Sequence, residues 1–330
     1  MLAVPQASQT ASAESPRLGP FEYPQPRELR SPEGAETFDA YEALHGSVGS
    51  PEHCGPGTGR LWVVVGGEGE CIRYYHHGLA AENPVALVYF GGDVMLRTQK
   101  GVRFISPSYP VQSPTSIETE MARWSGEAGV PAIFIARPGI YGSSGDHNDR
   151  RHEREIDLME GAVQAVVERY GIASLILVGH SAGGQIVAAL LNRRRDVDAA
   201  VISSGMVSVK QVTNFWERRR SIPGRLLYDA SAFHDPVEAI ETIRKDPLPQ
   251  IYVLSDPEDR SVPFFSQLYY VRRLRVTGQE PRHIYAEAPD RQRHLLADHA
   301  KLAASLIARG REEADVRRAL LELSLEEKAD

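Results

Sequence analysis

The chain has 330 residues, 42% of them hydrophobic and 25% charged, which is enough to build one large hydrophobic core. A formal net charge of −7 without a long lysine or arginine cluster argues against a nucleic-acid partner. No run approaches about 18 consecutive apolar residues, so no integral membrane segment is expected.

Residues 1 to about 55 are rich in Pro, Ser, Gly and Glu without periodicity and read as a flexible or loosely packed leader. Ala11-Ser12-Ala13 is similar to the end of a secretory signal. Neither a basic start nor a long apolar run precedes it, so a truncated or absent signal is expected. Cys54 and Cys71 stand 17 residues apart. Pairing would fit an oxidising compartment, and two free thiols are the alternative. The balance favours an extracytoplasmic location, periplasmic or secreted.

Arg60 to Val65 and Cys71 to Tyr75 are expected as an antiparallel pair turning at Gly66-Gly67. Val85 to Phe90 reads as a central strand ending at Gly91-Gly92-Asp93, and Ala132 to Ile135 as the next. Arg137-Pro138-Gly139 to Gly145 follows as a loop. Asp146, His147, Asp149 and His152 come next, without metal-ligand spacing on a helix face, and read as a solvated loop and helix start with no metal. Helices are expected at about 116–128, 153–170, 184–194 and 296–308, with a charged amphipathic tail over 311–330. Arg193-Arg194-Arg195 and Arg218-Arg219-Arg220 read as a solvated helix end and an exposed face.

Ser174 to Val178 is a short apolar run that enters Gly179-His180-Ser181-Ala182-Gly183, and Ile186, Val187, Leu190 and Leu191 follow at helical spacing. A strand that enters a G-x-S-x-G turn and leaves as a helix is a nucleophile elbow, so Ser181 is the expected nucleophile. Strands follow at Ala199 to Ser203, Gln250 to Leu254 and His283 to Ala286. Alternating strands and helices of this kind predict an α/β, doubly wound, mostly parallel sheet of about eight strands flanked by helices. The segment 206–245 interrupts the alternation. Its Phe215, Trp216, Leu226, Leu227, Tyr228 and Phe233 form either a small helical cap or ordinary packing on the sheet.

On these motifs the chain resembles the α/β-hydrolase fold family, whose machinery runs in the order oxyanion loop, serine, acid, histidine. The resemblance implies a catalytic domain over 56–310, with 206–245 where a lid commonly lies. It implies oxyanion donors at the backbone N–H of Ala182 and of Gly92 or Asp93, although the His-Gly-Gly-Gly form of many lipases is missing. Asp259, in Asp-Arg-Ser-Val-Pro after the strand 250–254, matches the family's carboxylate, with Asp256 and Glu258 as neighbours. His294, between the last strand and last helix, matches the base, ahead of His299 and His283. The implied activity is serine esterase chemistry on a small-molecule ester, without a cofactor or metal. A prolyl-oligopeptidase-like peptidase acting on a peptide and a non-catalytic binding module are the alternatives. The oligomeric state is open.

Overall fold

Apolar residues on both sides of the central strands set the architecture. Along each strand alternate residues bury on opposite faces, as parallel strands covered by helices on both sides require. Val88, Leu177, Ile202 and Val253 enter one core, and Leu87, Ile176, Val201 and Leu254 enter the other. The structure, a computed structural model, describes residues 16–327 apart from 56, 58 and 228.

Among the described residues an eight-stranded sheet holds β1 (Arg60–Val65), β2 (Glu68–His77), β3 (Ala86–Phe90), β4 (Ala132–Ile135), β5 (Leu175–His180), β6 (Val197–Ser203), β7 (Gln250–Ser255) and β8 (Arg282–Tyr285). The spatial order is β1-β2-β4-β3-β5-β6-β7-β8. β2 runs antiparallel to β1 and β4, and the remaining pairings are parallel. The β1–β2 turn uses Gly66 at φ 61° and Gly67 at φ 88°, the left-handed pair that a two-residue hairpin demands.

The longer helices are α1 (Pro114–Ala128), α2 (Glu153–Arg169), α3 (Ala182–Arg193), α4 (Val209–Glu217), α5 (Phe264–Val276), α6 (Ala297–Ala308) and α7 (Glu313–Glu326). α2, α3 and α5 pack into one core, while α1, α6 and α7 pack into the other. α5 was not evident in the sequence, because its buried side includes the polar Ser266 and Gln267, which break the apolar stripe. Gln267 accepts from Ser255 Oγ at 2.6 Å and donates to the Val262 carbonyl at 3.2 Å. α7 buries Val316 and Leu320.

Residues 16–55 differ from the expected loose leader. Leu18, Phe38, Ala43 and Leu44 are buried in the second core. Arg17–Leu18 adds a short strand beside Arg103–Ile105. Ala11-Ser12-Ala13 lies outside the described residues. Cys54 and Cys71 form a disulfide with Cα atoms 5.4 Å apart, which ties this segment to β2. Arg193 and Arg194, expected as a solvated helix end, are instead engaged. Arg193 pairs with Asp157 at 2.8 Å and Glu160 at 2.7 Å, and Arg194 with Asp196.

Candidate active site

In a parallel sheet the carboxyl ends of the strands open toward one rim, where loops from several strands converge. Gly92, Ser181, Asp259 and His294 all lie on such loops, after β3, β5, β7 and β8.

Ser181 has φ 55° and ψ −119°, a left-handed conformation that costs a non-glycine residue about 1–3 kcal/mol. The turn is held by Ser181 N–H donating to the Ser203 carbonyl at 2.9 Å. The Ser181 carbonyl in turn accepts from Gly184 at 3.0 Å and Met206 at 2.9 Å. The flanking glycines are steric necessities. A Cβ on Gly179 would lie 2.4 Å from the Gly183 carbonyl oxygen, and one on Gly183 would lie 2.0 Å from the Phe90 oxygen.

His294 Nε2 lies 2.9 Å from Ser181 Oγ, and His294 Nδ1 lies 2.8 Å from Asp259 Oδ2. The ionised carboxylate only accepts, so the proton belongs on Nδ1 and Nε2 faces the serine as acceptor. Asp259 Oδ1 accepts from the N–H groups of Ser261 at 2.8 Å and Val262 at 2.9 Å, which orients the carboxylate. The histidine loop is fixed by Asp290, which accepts from the N–H of His294 at 2.8 Å and Leu295 at 2.7 Å.

The Gly92 backbone lies against the serine, since a Cβ there would stand 3.1 Å from Ser181 Cβ and 3.6 Å from Oγ. Ala182 is the first residue of α3, so its N–H has no intrahelical acceptor and sits at the positive end of the helix dipole. The Gly92 backbone thus approaches the serine side chain, and Ala182 follows Ser181 directly in the chain.

The alternative acids and bases are engaged elsewhere. Asp256 is fully buried and accepts from Arg293 Nε at 2.7 Å and the N–H of Ala288 at 2.9 Å, while Glu258 is exposed. His299 is buried with Nε2 2.8 Å from Ser324 Oγ, and His283 Nε2 lies 3.0 Å from Ser255 Oγ. Burial pushes both imidazoles down to about 4. His180, whose ring centroid lies 5.0 Å from that of His294, bonds Ser203 Oγ through Nδ1 at 3.1 Å. Burial, and then the neighbouring His294, hold it neutral well below the usual imidazole range.

Sequence reasoning missed the charge cage beneath the loop that carries Gly92. Asp93, next to Gly92, binds Arg137 at 2.8 Å, Arg150 at 3.1 Å and Arg151, while Arg137 Nε also donates to Glu155 at 2.8 Å. Burial alone would raise the Asp93 pKa, but Arg151, Arg150 and Arg137 hold it well below the carboxylate range. Arg151 is itself left-handed at φ 76°. His147, expected in a solvated loop, is buried beside this cage with Nε2 3.7 Å from Asp93. Burial, then Arg137 and Arg150, hold it well below its ordinary pKa. The only hint in the sequence was charge placed beside glycine turns, at Gly92-Asp93 and in the Arg137-Pro138-Gly139 loop.

In the 206–245 segment Trp216 lines a cavity beside the site and donates Nε1–H to the Ser261 carbonyl at 2.9 Å. Phe215 does not share that cavity. Its ring packs on Phe265 at 5.8 Å, with the Arg219 guanidinium 3.6 Å above it. Tyr228 lies outside the described residues. Arg220, expected on an exposed face, is a wall residue of the same cavity as Trp216.

The sheet order, the rim position of the serine turn and the helices on both faces define an α/β-hydrolase fold. A family model described as serine aminopeptidase, S33, matches residues 143–261, a stretch that contains Ser181 and Asp259 and ends before His294. An esterase of Pyrococcus furiosus, Pf2001, superposes with a TM-score of 0.53 at 10% identity, over 76% of this chain and 90% of that one. A puromycin-hydrolyzing peptidase of Mycobacterium tuberculosis gives 0.50 at 16% identity, over 78% of this chain and 41% of that one. An acylaminoacyl peptidase of Pyrococcus horikoshii gives 0.46 at 12% identity, over 68% of this chain. The present chain covers only 36% of that peptidase's length. These likenesses are likenesses of fold. No curated protein sequence matches the chain. Among the described residues no helix is long and apolar enough to cross a membrane.

Proposed function

We propose that the protein is a serine hydrolase that cleaves carboxylic ester bonds through an acyl-enzyme intermediate. The reading rests on one observation, the hydrogen-bonded line from Asp259 through His294 to Ser181 Oγ, with links of 2.8 and 2.9 Å. A serine hydroxyl is a poor nucleophile near neutral pH without such a base. Ser181 Oγ attacks the ester carbonyl while His294 Nε2 takes its proton, and Asp259 stabilises the resulting imidazolium. The N–H groups of Ala182 and Gly92 hold the oxyanion, and losing one such donor typically costs about 3–4 kcal/mol of barrier. His294 then returns the proton to the leaving alcohol, and water repeats the cycle to release the acid.

A peptidase is the second reading, favoured by the S33 match over 143–261. A peptide's free amine would require a carboxylate anchor, whereas arginines outnumber carboxylates in the wall of the cavity beside Met206 and Trp216. That balance favours the ester. The test is a series of p-nitrophenyl esters of graded acyl length against aminoacyl anilides, with a fluorophosphonate probe for the serine. Ser181→Ala should lose turnover by several orders of magnitude and resist the probe. Equal labelling of wild type and variant would eliminate Ser181 as nucleophile, whereas a wild type that takes up no probe and turns over no substrate would leave the binding-module reading.

A further inference from the structure

A cavity of about 400 Å³ lies beside the serine and is strongly cationic in an otherwise acidic protein. Its walls reach the segments that carry Ser181, Asp259 and Gly92. Met206 lines it and donates its N–H to the Ser181 carbonyl, and Trp216 lines it and bonds the carbonyl of Ser261, two residues past Asp259. Arg150 and Arg151 line it and grip Asp93, the neighbour of Gly92.

Arg97, Arg103 and Arg220 complete the basic wall. Two carboxylates, Asp149 and Asp229, face the same space, and Asp229 accepts from the hydroxyl and N–H of Ser231. Arg103 donates to neutral acceptors, Asn148 Oδ1 at 2.6 Å and the Gly19 carbonyl at 3.1 Å, while Asp146 and Glu22 act on its charge from a greater distance. Its buried Nε has no hydrogen-bond partner among the described residues. Arg150 and Arg151, with Arg137 behind them, share Asp93 and Glu155, three guanidiniums for two carboxylates. Burial, despite Asp93, lowers the Arg151 guanidinium below its ordinary value, and Arg150 adds to the effect. An anion in the cavity would relieve this repulsion, and a low-dielectric recess concentrates the field that attracts one. Met206, Val212, Trp216, Leu227 and Phe233 give the cavity an apolar wall, with Asn148, His152 and Thr213 as its uncharged polar groups.

We infer that this cavity binds an anionic substrate, one whose acyl or alcohol part has an apolar body ending in a carboxylate. The inference rests on the reading of Ser181 as the nucleophile of an esterase. The apolar wall takes the body, and the arginine fork takes the two carboxylate oxygens, as guanidinium geometry favours.

Two matched pairs test it and identify which side of the ester carries the charge. On the acyl side, the p-nitrophenyl monoester of adipic acid is compared with its methyl-capped analogue. On the alcohol side, the butyrate ester of 3-(4-hydroxyphenyl)propanoic acid is compared with the methyl ester of that compound. Ester reactivity is nearly equal within each pair. One pair should show kcat/KM higher by about tenfold or more for the carboxylate form. That ratio should fall with added salt, collapse toward one in Arg220→Gln and in Arg103→Gln, and recover in part in Arg220→Lys. A ratio at or below one in both pairs, from an enzyme that hydrolyses the neutral esters, overturns the inference and leaves the esterase reading standing.

A binding measurement separates the two claims. Calorimetry on Ser181→Ala compares 4-phenylbutyrate with the neutral 4-phenylbutyramide. Tighter binding of the carboxylate, lost in the added Arg220→Gln change, supports the cavity even where no ester is turned over, the result that would overturn the esterase. Equal binding of the two counts against it.

Discussion

Replacing Asp93 with Asn tests whether the buried charge cage supports the rim. Asparagine keeps the shape but removes the charge that three guanidiniums share, Arg137 at 2.8 Å, Arg150 at 3.1 Å and Arg151. Arg137 keeps Glu155, so the uncompensated cations are mainly Arg150 and Arg151. Removing one partner from a buried ionic cluster costs about 3–5 kcal/mol. With 330 residues and about 2.1 cal/mol/K per residue, the unfolding entropy is about 0.7 kcal/mol/K, so the expected fall in Tm is about 4–7 °C. Gly92 adjoins Asp93, so kcat should fall as well, with loss of a whole oxyanion donor, about 10²–10³-fold, as the ceiling. The double variant Asp93→Asn/Arg151→Gln should melt higher than Asp93→Asn alone, because it removes one surplus cation. Thermal melts and ester kinetics on the three proteins decide the matter. An Asp93→Asn protein that melts within about 1 °C of wild type, or a double variant whose losses simply add, would refute the reasoning.

Other outcomes follow from the same geometry. His294→Ala should match Ser181→Ala in lost turnover, with the double variant no worse, while His299→Ala, which removes a buried ring bonded to Ser324 and not to Ser181, should keep most activity; kinetics on the four proteins check this. Removing the Cys54–Cys71 link with serines at both positions should lower Tm by about 4 °C, because a loop of 17 residues corresponds to about 3 kcal/mol, and should leave kcat unchanged. His283 and His299, held at about 4 in the fold against about 6.5 when unfolded, remain neutral where the unfolded chain takes up protons. Stability from these residues is therefore complete above pH about 6.5 and is lost as pH falls toward 4. The acid slope of Tm should be shallower in His283→Gln/His299→Gln, and an unchanged slope would discount both residues.

How much of this was legible in the sequence depended on whether a residue's role is local. Gly179, Ser181 and Gly183 could be read because the constraint lies within five residues, where a side chain at either glycine meets backbone at 2.4 Å or less. The strands could be read because both their faces are apolar over short runs. Asp259 and His294 were found only through chain order, since 35 residues separate two atoms 2.8 Å apart. α5 was hidden because its inward Gln267 is satisfied by Ser255 and Val262, partners that no periodicity reveals. Residues 16–55 were misread for a related reason. Phe38 and Leu44 are isolated in a polar stretch, and they become core residues only when they meet Tyr75, Tyr109 and Tyr141 from three other segments.

The charge cage carries this argument furthest. Asp93, Arg137, Arg150 and Arg151 each look like ordinary surface residues in sequence, and the hydropathy of their neighbours gives no sign that they are buried together. Their meeting follows from the topology, because the loops after β3 and β4 share the rim and α2 begins beneath it. A carboxylate largely withdrawn from water and surrounded by three guanidiniums is a poor way to gain stability compared with apolar packing. Its position suits another use: it braces the loop that carries Gly92 while leaving positive charge in the wall of the adjoining cavity. One cluster thereby links the rigidity of the proposed oxyanion loop to the charge of the group that the site accepts. Asp93→Asn should therefore change two quantities together, kcat on every ester and the ratio of carboxylate to neutral substrate. A fall in kcat with an unchanged ratio would separate the brace from the cavity and limit Asp93 to the first role.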